Sequence, residues 1–157
     1  CESAVKIMRQ NNPAVNSLRD VQVNQFLSAK YKMPEGVFKH ARHVVEEIER
    51  VDQAIRFLEA GKSAEFGQLM FETHNSLRDY FEVSCPELDI LVNIAAGLKG
   101  CIGARLTGAG FGGCTVNLVE QEQAEAFTVQ LAEQYQIQTK RKASVFITRA
   151  SRGAYAL

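Results

Sequence analysis

The chain has 157 residues, of which 46% are hydrophobic and 23% are charged, a composition typical of a folded globular domain rather than a disordered segment. Its 18 basic and 18 acidic side chains give a formal net charge of zero, so the overall charge gives no basis for binding nucleic acid or an anionic membrane surface. No apolar run approaches the roughly 20 residues that span a bilayer. We therefore expect a soluble protein with no nucleic acid and no membrane among its partners.

The cysteines carry no recognisable metal or disulfide pattern. Cys1, Cys85, Cys101 and Cys114 are widely spaced and form no C-x-x-C pair. We therefore predict reduced thiols in a cytoplasmic protein. Because the chain begins with Cys1 rather than methionine, we also expect it to be part of a longer protein.

The first half of the chain has helical periodicity. Residues 2–10 and 21–30 predict two short helices, the second capped by Asp20. Residues 37–60 predict a helix about 34 Å long, because apolar side chains recur there at three- and four-residue steps. The predicted inward stripe consists of Phe38, Ala41, Val44, Val45, Ile48, Val51, Ile55 and Leu58.

Two more helices are predicted before the first strand. Gly61 is placed to end the long helix, and Ser63 to start a helix that packs antiparallel to it. Residues 84–87, with the sequence SCPE, predict a capping box in which Ser84 caps the next helix. That helix should end near Gly100.

The remainder of the chain predicts a sheet. Residues 102–106 and 114–119 alternate as strands do, residues 120–135 predict a helix, and residues 144–148 predict a third strand. The fold class is therefore α+β, with a helical N-terminal half followed by a small antiparallel sheet of about three to four strands covered by helices. We predict a single domain over residues 1–157.

Glycines cluster between the first two strands, where residues 103–113 contain five of the eleven in the chain. Gly108, Gly110 and Gly113 fit the G-x-G-x-x-G dinucleotide pattern, but a strand follows them where that pattern requires a helix. The phosphate loop of nucleotide hydrolases is excluded because Cys114 stands where it needs lysine. A hairpin connection that binds no ligand is the alternative.

The histidines are candidates for metal ligands or general bases. His40, His43 and Glu47 have a spacing that could hold zinc on one helix face, but the valines after His43 favour a histidine that packs between helices. For His74, which lies near Arg78, a buried hydrogen-bonding role is favoured over that of a general base.

Two segments resemble a known family. Residues 103–114, GARLTGAGFGGC, resemble the third conserved motif of the GHMP small-molecule kinases, and that of galactokinases most closely. Residues 73–79, THNSLRD, with residues 82–89, EVSCPELD, resemble a second galactokinase signature. The chain departs from the family pattern at Thr73, Tyr80 and Leu106. The change at Tyr80 is the largest, because the family usually has aspartate there.

This resemblance implies the C-terminal domain of an enzyme that uses ATP and Mg²⁺ to phosphorylate the anomeric hydroxyl of galactose. It implies that the catalytic residues, the magnesium ligands and the ATP loop belong to an N-terminal domain that is absent here. This chain would then have no catalytic residue and no metal ligand, would bind no cofactor alone and would be inactive by itself. The residues that it implies beside the nucleotide and the sugar are Thr107, Gly108, Ala109, Gly110, Phe111, Gly112 and Gly113. We expect Arg105, His74 and Arg78 to support this loop.

Other functions are compatible with parts of this sequence. A stand-alone α+β module that binds a small metabolite without catalysis would have the same sequence features. Mevalonate and homoserine kinases share the glycine-rich motif but not the segment at residues 76–79. The sugar is also open, because its contacts are expected in the absent domain, so galactosamine or another sugar is an alternative to galactose.

Overall fold

The computed structural model describes residues 1–151 of the chain. Within them, no helix is long and apolar enough to cross a bilayer. The helices and strands, in chain order, are α1 (Glu2–Asn11), α2 (Val23–Ser28), α3 (Glu35–Glu59), α4 (Ser63–Asp79), α5 (Pro86–Gly97), β1 (Cys101–Thr107), β2 (Cys114–Val119) and α6 (Ala124–Thr139). Short 3-10 turns lie at Leu18–Asp20, Lys30–Lys32 and Gln121–Gln123.

A first hydrophobic core joins α1, α2 and the N-terminal half of α3. The Phe26 and Phe38 rings stack there with their centroids 5.0 Å apart. Burial of each ring contributes about 1.5–3 kcal/mol. The buried members are Ala4, Met8, Val15, Leu18, Val21, Phe26, Ala29, Met33, Phe38, Ala41 and Val45.

The long helix α3 is confirmed, but its predicted inward stripe is wrong in the C-terminal half. Val51, Ile55 and Leu58 are 57%, 50% and 57% exposed. The reason is that the first core ends at Val45, so it covers only the N-terminal half of the stripe. Periodicity identified the helix face but not how far its neighbours extend.

The turn between α3 and α4 has the predicted glycine at its left-handed position. Gly61 has φ +67°. Its N–H donates to the Leu58 carbonyl at 3.1 Å, and the Lys62 N–H donates to the Phe57 carbonyl at 2.8 Å. This pair of bonds is the Schellman motif that ends many helices. The short link brings α4 back against α3, as predicted.

The start of α2 differs from the prediction. Asp20 does not cap that helix, because α2 begins three residues later at Val23. Its carboxylate instead accepts the backbone N–H groups of Asn16 and Ser17 at 2.9 and 2.8 Å, which closes a 3-10 turn. The hydrogen bonds hold the pKa of Asp20 below its ordinary value.

A second core lies between the sheet and the last two helices. On α6 the buried side chains are Phe127, Leu131 and Tyr135, three of the four predicted to face inward. They pack on α5 and β1. The buried members of this core are Val92, Ile94, Ala95, Leu98, Ala104, Phe127, Leu131 and Tyr135.

The sheet is an antiparallel hairpin of β1 and β2, in which Thr107 pairs with Cys114. The outer side of β1 is covered closely by α4. A β carbon built on Gly67 would lie 2.0 Å from the Ile102 carbonyl oxygen, and one built on Gly103 would lie 2.6 Å from the Gly67 Cα. Glycine at both positions is therefore what allows the helix and the strand to touch through their backbones.

The predicted third strand is wrong, and the sheet of residues 1–151 has two strands rather than three to four. Ala143 and Val145 are partly buried against the second core, while Phe146 and Ile147 are 80% and 51% exposed. A strand needs a backbone partner. Among the described residues, no backbone hydrogen bond joins residues 144–148 to β1 or β2, so this segment does not form a strand.

Candidate functional site

The hairpin connection between β1 and β2, residues 107–113, is called the glycine loop. With Cys114 it lines an open concavity of about 610 Å³. Positive φ angles occur at Gly108 (86°), Gly110 (83°), Phe111 (58°), Gly112 (131°) and Gly113 (95°). β carbons built on Gly108, Gly112 and Gly113 would meet no atom within 4 Å. These three glycines therefore leave the space beside the loop free.

The tip of the glycine loop rests on the connection between α4 and α5. The Phe111 N–H donates to the Val83 carbonyl at 2.7 Å. A β carbon on Gly110 would lie 2.3 Å from that same carbonyl oxygen and 2.8 Å from the Val83 Cβ. Glycine at position 110 is therefore required for the contact, whereas the Phe111 ring is 75% exposed.

The residue before Val83 is held in a left-handed conformation. Glu82 has φ +59°, which is uncommon for a residue with a side chain. Its carboxylate accepts a hydrogen bond from Lys39 Nζ at 2.7 Å and lies 3.4 Å from His40 Nε2. The bond from Lys39 is the main cause that lowers the pKa of Glu82. α3 is thereby linked to the segment that carries the loop tip.

His74 lies at the root of the glycine loop and is 1% exposed. Its Nδ1 accepts the Leu106 N–H at 3.3 Å, and its Nε2 lies 3.2 Å from Asp89 Oδ1. The direction of the Nε2 contact falls short of hydrogen-bond geometry, so we treat it as a charge–dipole contact. Burial lowers the pKa of His74, and this outweighs the attraction of Asp89. The predicted buried hydrogen-bonding histidine is confirmed.

The predicted capping box at Ser84 is wrong. α5 begins at Pro86, so Cys85 occupies the cap position and Ser84 lies one residue too early. The Ser84 hydroxyl instead donates to Asp89 Oδ1 at 2.6 Å, the same oxygen that His74 faces. The proline at the first helical position is as predicted.

Within residues 1–151, neither of the two arginines predicted to support the loop makes a hydrogen bond to it. Arg78 Nε and Nη2 donate to the neighbouring Asp79 carboxylate at 2.7 and 2.9 Å, and this hydrogen bonding raises the pKa of Arg78. Arg105 lines a separate cavity of about 160 Å³ with Glu47 and Arg50. Of the three predicted supporting side chains, His74 is the one that bonds to the strand entering the loop.

The residues considered for zinc take part in packing. His43 is 7% exposed, its Nδ1 lies 2.9 Å from the Ser76 hydroxyl, and its ring stacks on Phe81 at 4.6 Å between centroids. Glu47 accepts the Thr73 hydroxyl at 3.0 Å. The prediction of a helix-packing histidine at position 43 is confirmed.

Tyr80, the largest departure from the family pattern, has a cationic neighbour. The Arg42 guanidinium carbon lies 4.3 Å from the centre of the Tyr80 ring. Such a cation–π contact contributes about 0.5–1 kcal/mol when exposed. An aromatic ring at this position therefore still attracts a positive charge.

Sequence reasoning missed two residues of the site, Val83 and Asp89. Both lie in residues 82–89, and the family resemblance is the one sequence signal that includes these two residues. No residue type or spacing marks a backbone carbonyl as the support for a loop 28 residues later. The carboxylate of Asp89 was one of many on a helix surface until the fold brought it to His74.

The chain is similar to known proteins over nearly its whole length. The model of the GHMP kinase C-terminal family, described as "GHMP kinases C terminal", matches residues 54–137. Galactokinase of Roseiflexus sp. strain RS-1 is 48% identical over 153 residues, which cover 98% of this chain and 39% of the relative. Galactokinase of Bos taurus is 45% identical over 141 residues, which cover 90% of this chain and 35% of the relative.

Among solved structures, Lactococcus lactis galactokinase complexed with galactose superposes with a TM-score of 0.86 at 35% identity, covering 91% of this chain and 37% of that one. The chain thus spans about two fifths of the length of the relatives that it matches. The family model covers more than half of the chain, from the second half of α3 through the glycine loop to α6. On this basis the chain belongs to the GHMP kinase C-terminal family.

Proposed function

We propose that this chain is the C-terminal domain of a galactokinase, which transfers the γ-phosphoryl group of ATP to the anomeric hydroxyl of galactose. The observation that carries the proposal is the 48% identity to a galactokinase over 98% of the chain. The similarity to a galactokinase solved with galactose supports it. The catalytic groups are proposed to lie in the remainder of the longer protein.

In this proposal the glycine loop lies beside the nucleotide and the sugar. Its open concavity, with no β carbon on Gly108, Gly112 or Gly113, supports this role, because a ligand can approach the backbone closely there. The residues that we assign to it are Thr107, Gly108, Ala109, Gly110, Phe111, Gly112 and Gly113. The loop shapes the site, and His74 supports the loop at its root through the bond to the Leu106 N–H.

The kinase reaction proposed for the longer protein also uses Mg²⁺, which needs ligands from the protein. Among residues 1–151 there is no group of three histidine, cysteine or acidic side chains placed to hold a metal ion. We therefore propose that the magnesium ligands lie in the remainder of the longer protein. Four free cysteines support the further proposal that the protein is cytoplasmic.

The test is sugar-dependent ATP turnover by the longer protein that contains this chain. We expect galactose 1-phosphate from galactose and ATP with Mg²⁺, and no product from mevalonate or homoserine. Galactosamine in parallel decides the sugar. Galactose binding without ATP turnover would overturn the proposal in favour of a binding module, and turnover of mevalonate alone would move the protein to another GHMP kinase.

The 157-residue chain alone should show no sugar-dependent ATP turnover, because the catalytic groups are proposed to lie outside it. Its folding is checked by circular dichroism and a thermal melt before the assay. Mixing it with the separately expressed remainder of the protein is the matched experiment. Galactose phosphorylation by the folded chain alone would contradict the division of roles between the two parts.

A further inference from the structure

The strand that enters the glycine loop is bonded on its outer side by a side chain rather than by another strand. Leu106 pairs with Thr115 in the hairpin, yet its N–H is directed at His74 Nδ1 on α4. Leu106 is two residues before Gly108. The bond therefore fixes the backbone immediately before the glycine loop begins.

The chemistry of this bond determines where the His74 ring carries its proton. A backbone N–H is always a donor, so Nδ1 must present a lone pair to Leu106. In the neutral ring the proton is then on Nε2, which faces the Asp89 carboxylate. Asp89 is in turn fixed by the Ser84 hydroxyl. Three elements, α4, α5 and β1, meet in this buried arrangement.

We propose that His74 is a positioning residue for the glycine loop, acting through the Leu106 N–H with Asp89 holding its tautomer. The inference rests on the proposed function, because it assigns to this pair the placement of the loop that shapes the site. The loop is then held at two points, at its root by His74 and at its tip by the Val83 carbonyl.

Because of the same hydrogen bond, the position of the glycine loop should depend on pH. The groups that face His74 are Asp89 on α5, Arg78 and Asp79 on its own helix, and the Leu106 N–H on β1. An imidazolium ring has no lone pair, so protonation removes the acceptor for Leu106. Activity that depends on loop position should therefore decline on the acidic side together with protonation of His74.

The experiment compares His74→Asn with His74→Gln in the longer protein. The asparagine amide oxygen can occupy the position of Nδ1 and accept the Leu106 N–H, while glutamine places its amide near Nε2. We expect H74N to keep the wild-type kcat and to lose the acidic decline, because an amide does not titrate. H74Q should lower kcat about tenfold with little change in KM for ATP. Gln68→Ala, exposed on the same helix, is the control and should change neither.

Hydrogen exchange of residues 104–113 separates this inference from the proposed function. Faster exchange in H74Q than in H74N supports the positioning role even if the longer protein phosphorylates no sugar. Equal exchange in the two variants would overturn it, as would equal kcat values in an active enzyme. If H74Q does not fold, Asp89→Ala replaces it, because it removes the carboxylate that Nε2 faces and with it the preference for a proton on Nε2. Faster exchange of residues 104–113 than in H74N then supports the positioning role, and equal exchange overturns it.

Discussion

Replacing Gly110 by alanine in the longer protein should reduce galactose phosphorylation more than it reduces stability. The new β carbon would lie 2.3 Å from the Val83 carbonyl oxygen and 2.8 Å from the Val83 Cβ. Neither neighbour is the flexible end of a long side chain. The exposed loop must therefore lift away from the connection between α4 and α5, and the hydrogen bond from Phe111 to Val83 is lost.

Two effects lower the free energy of unfolding of the Gly110→Ala variant. Alanine at φ +83° costs about 1–2 kcal/mol because of its left-handed conformation. The lost hydrogen bond from Phe111 adds about 0.5–1.5 kcal/mol. The sum is well below the roughly 5–15 kcal/mol that keeps a domain folded, so the variant should remain folded.

The effect on turnover follows from the displacement. To bring the β carbon to an ordinary contact distance of 3.4 Å from the Val83 oxygen, the loop backbone must move by roughly 1 Å. A displacement of about 1 Å can cost about a hundredfold in rate when it misplaces groups around a reacting centre. We expect a loss of that order in kcat/KM, and a larger loss for Gly110→Val.

Gly61→Ala provides the matched control. Gly61 has a similar φ of +67°, but a β carbon there would meet no atom within 4 Å. It should therefore lose about 1–2 kcal/mol of stability from the left-handed conformation alone and keep full activity. Urea unfolding and steady-state kinetics of both variants are the measurements. If Gly110→Ala has the same kcat/KM as Gly61→Ala, the position of the glycine loop does not matter for turnover and the reasoning is refuted.

Two further predictions concern stability. Gly67→Ala should lower the free energy of unfolding by about 1–3 kcal/mol, because its β carbon would lie 2.0 Å from the Ile102 carbonyl oxygen and push α4 off β1. The control is Gly36→Ala, whose β carbon would lie in open space and should not destabilise the fold. Equal urea midpoints for the two variants would contradict the close contact between α4 and β1. Acidification should also destabilise the fold, because burial lowers the pKa values of His43 and His74, so the unfolded chain binds protons first. This stability is complete above the unfolded pKa of about 6.5 and is lost as the pH falls below it toward the folded values. Urea midpoints at pH 7.5 and 5.5 test this, and a higher midpoint at pH 5.5 would contradict it.

The elements that could be predicted are those whose signal is local. α3 and α6 have an apolar face that repeats over several turns, and Gly61 ends α3 because the turn there requires a positive φ. The hairpin of β1 and β2 was identified because two alternating segments flank a cluster of glycines. In each case the residues that determine the structure lie within one element or next to it.

The features that could not be predicted depend on contacts between residues that are far apart in the sequence. Residues 144–148 contain the β-branched and aromatic residues that strands favour, but a strand also needs a free backbone edge, and sequence does not show one. The exposed half of α3 follows from where the first core ends. The bond from Leu106 to His74 spans 32 residues, and nothing in either residue type indicates the other.

The glycines of the glycine loop do not all have the same role, although the sequence motif groups them together. Gly110 is required by packing, because a side chain there would strike Val83. Gly108, Gly112 and Gly113 meet no such obstacle, and their positive φ angles serve to turn the chain and leave the concavity open. In the function proposed for the loop, its placement therefore rests on Gly110 with the buried His74, while access for a ligand rests on the other three glycines. Because different residues carry the two properties, a substitution at Gly110 should change the position of the loop, whereas substitutions at the other three glycines should change ligand access.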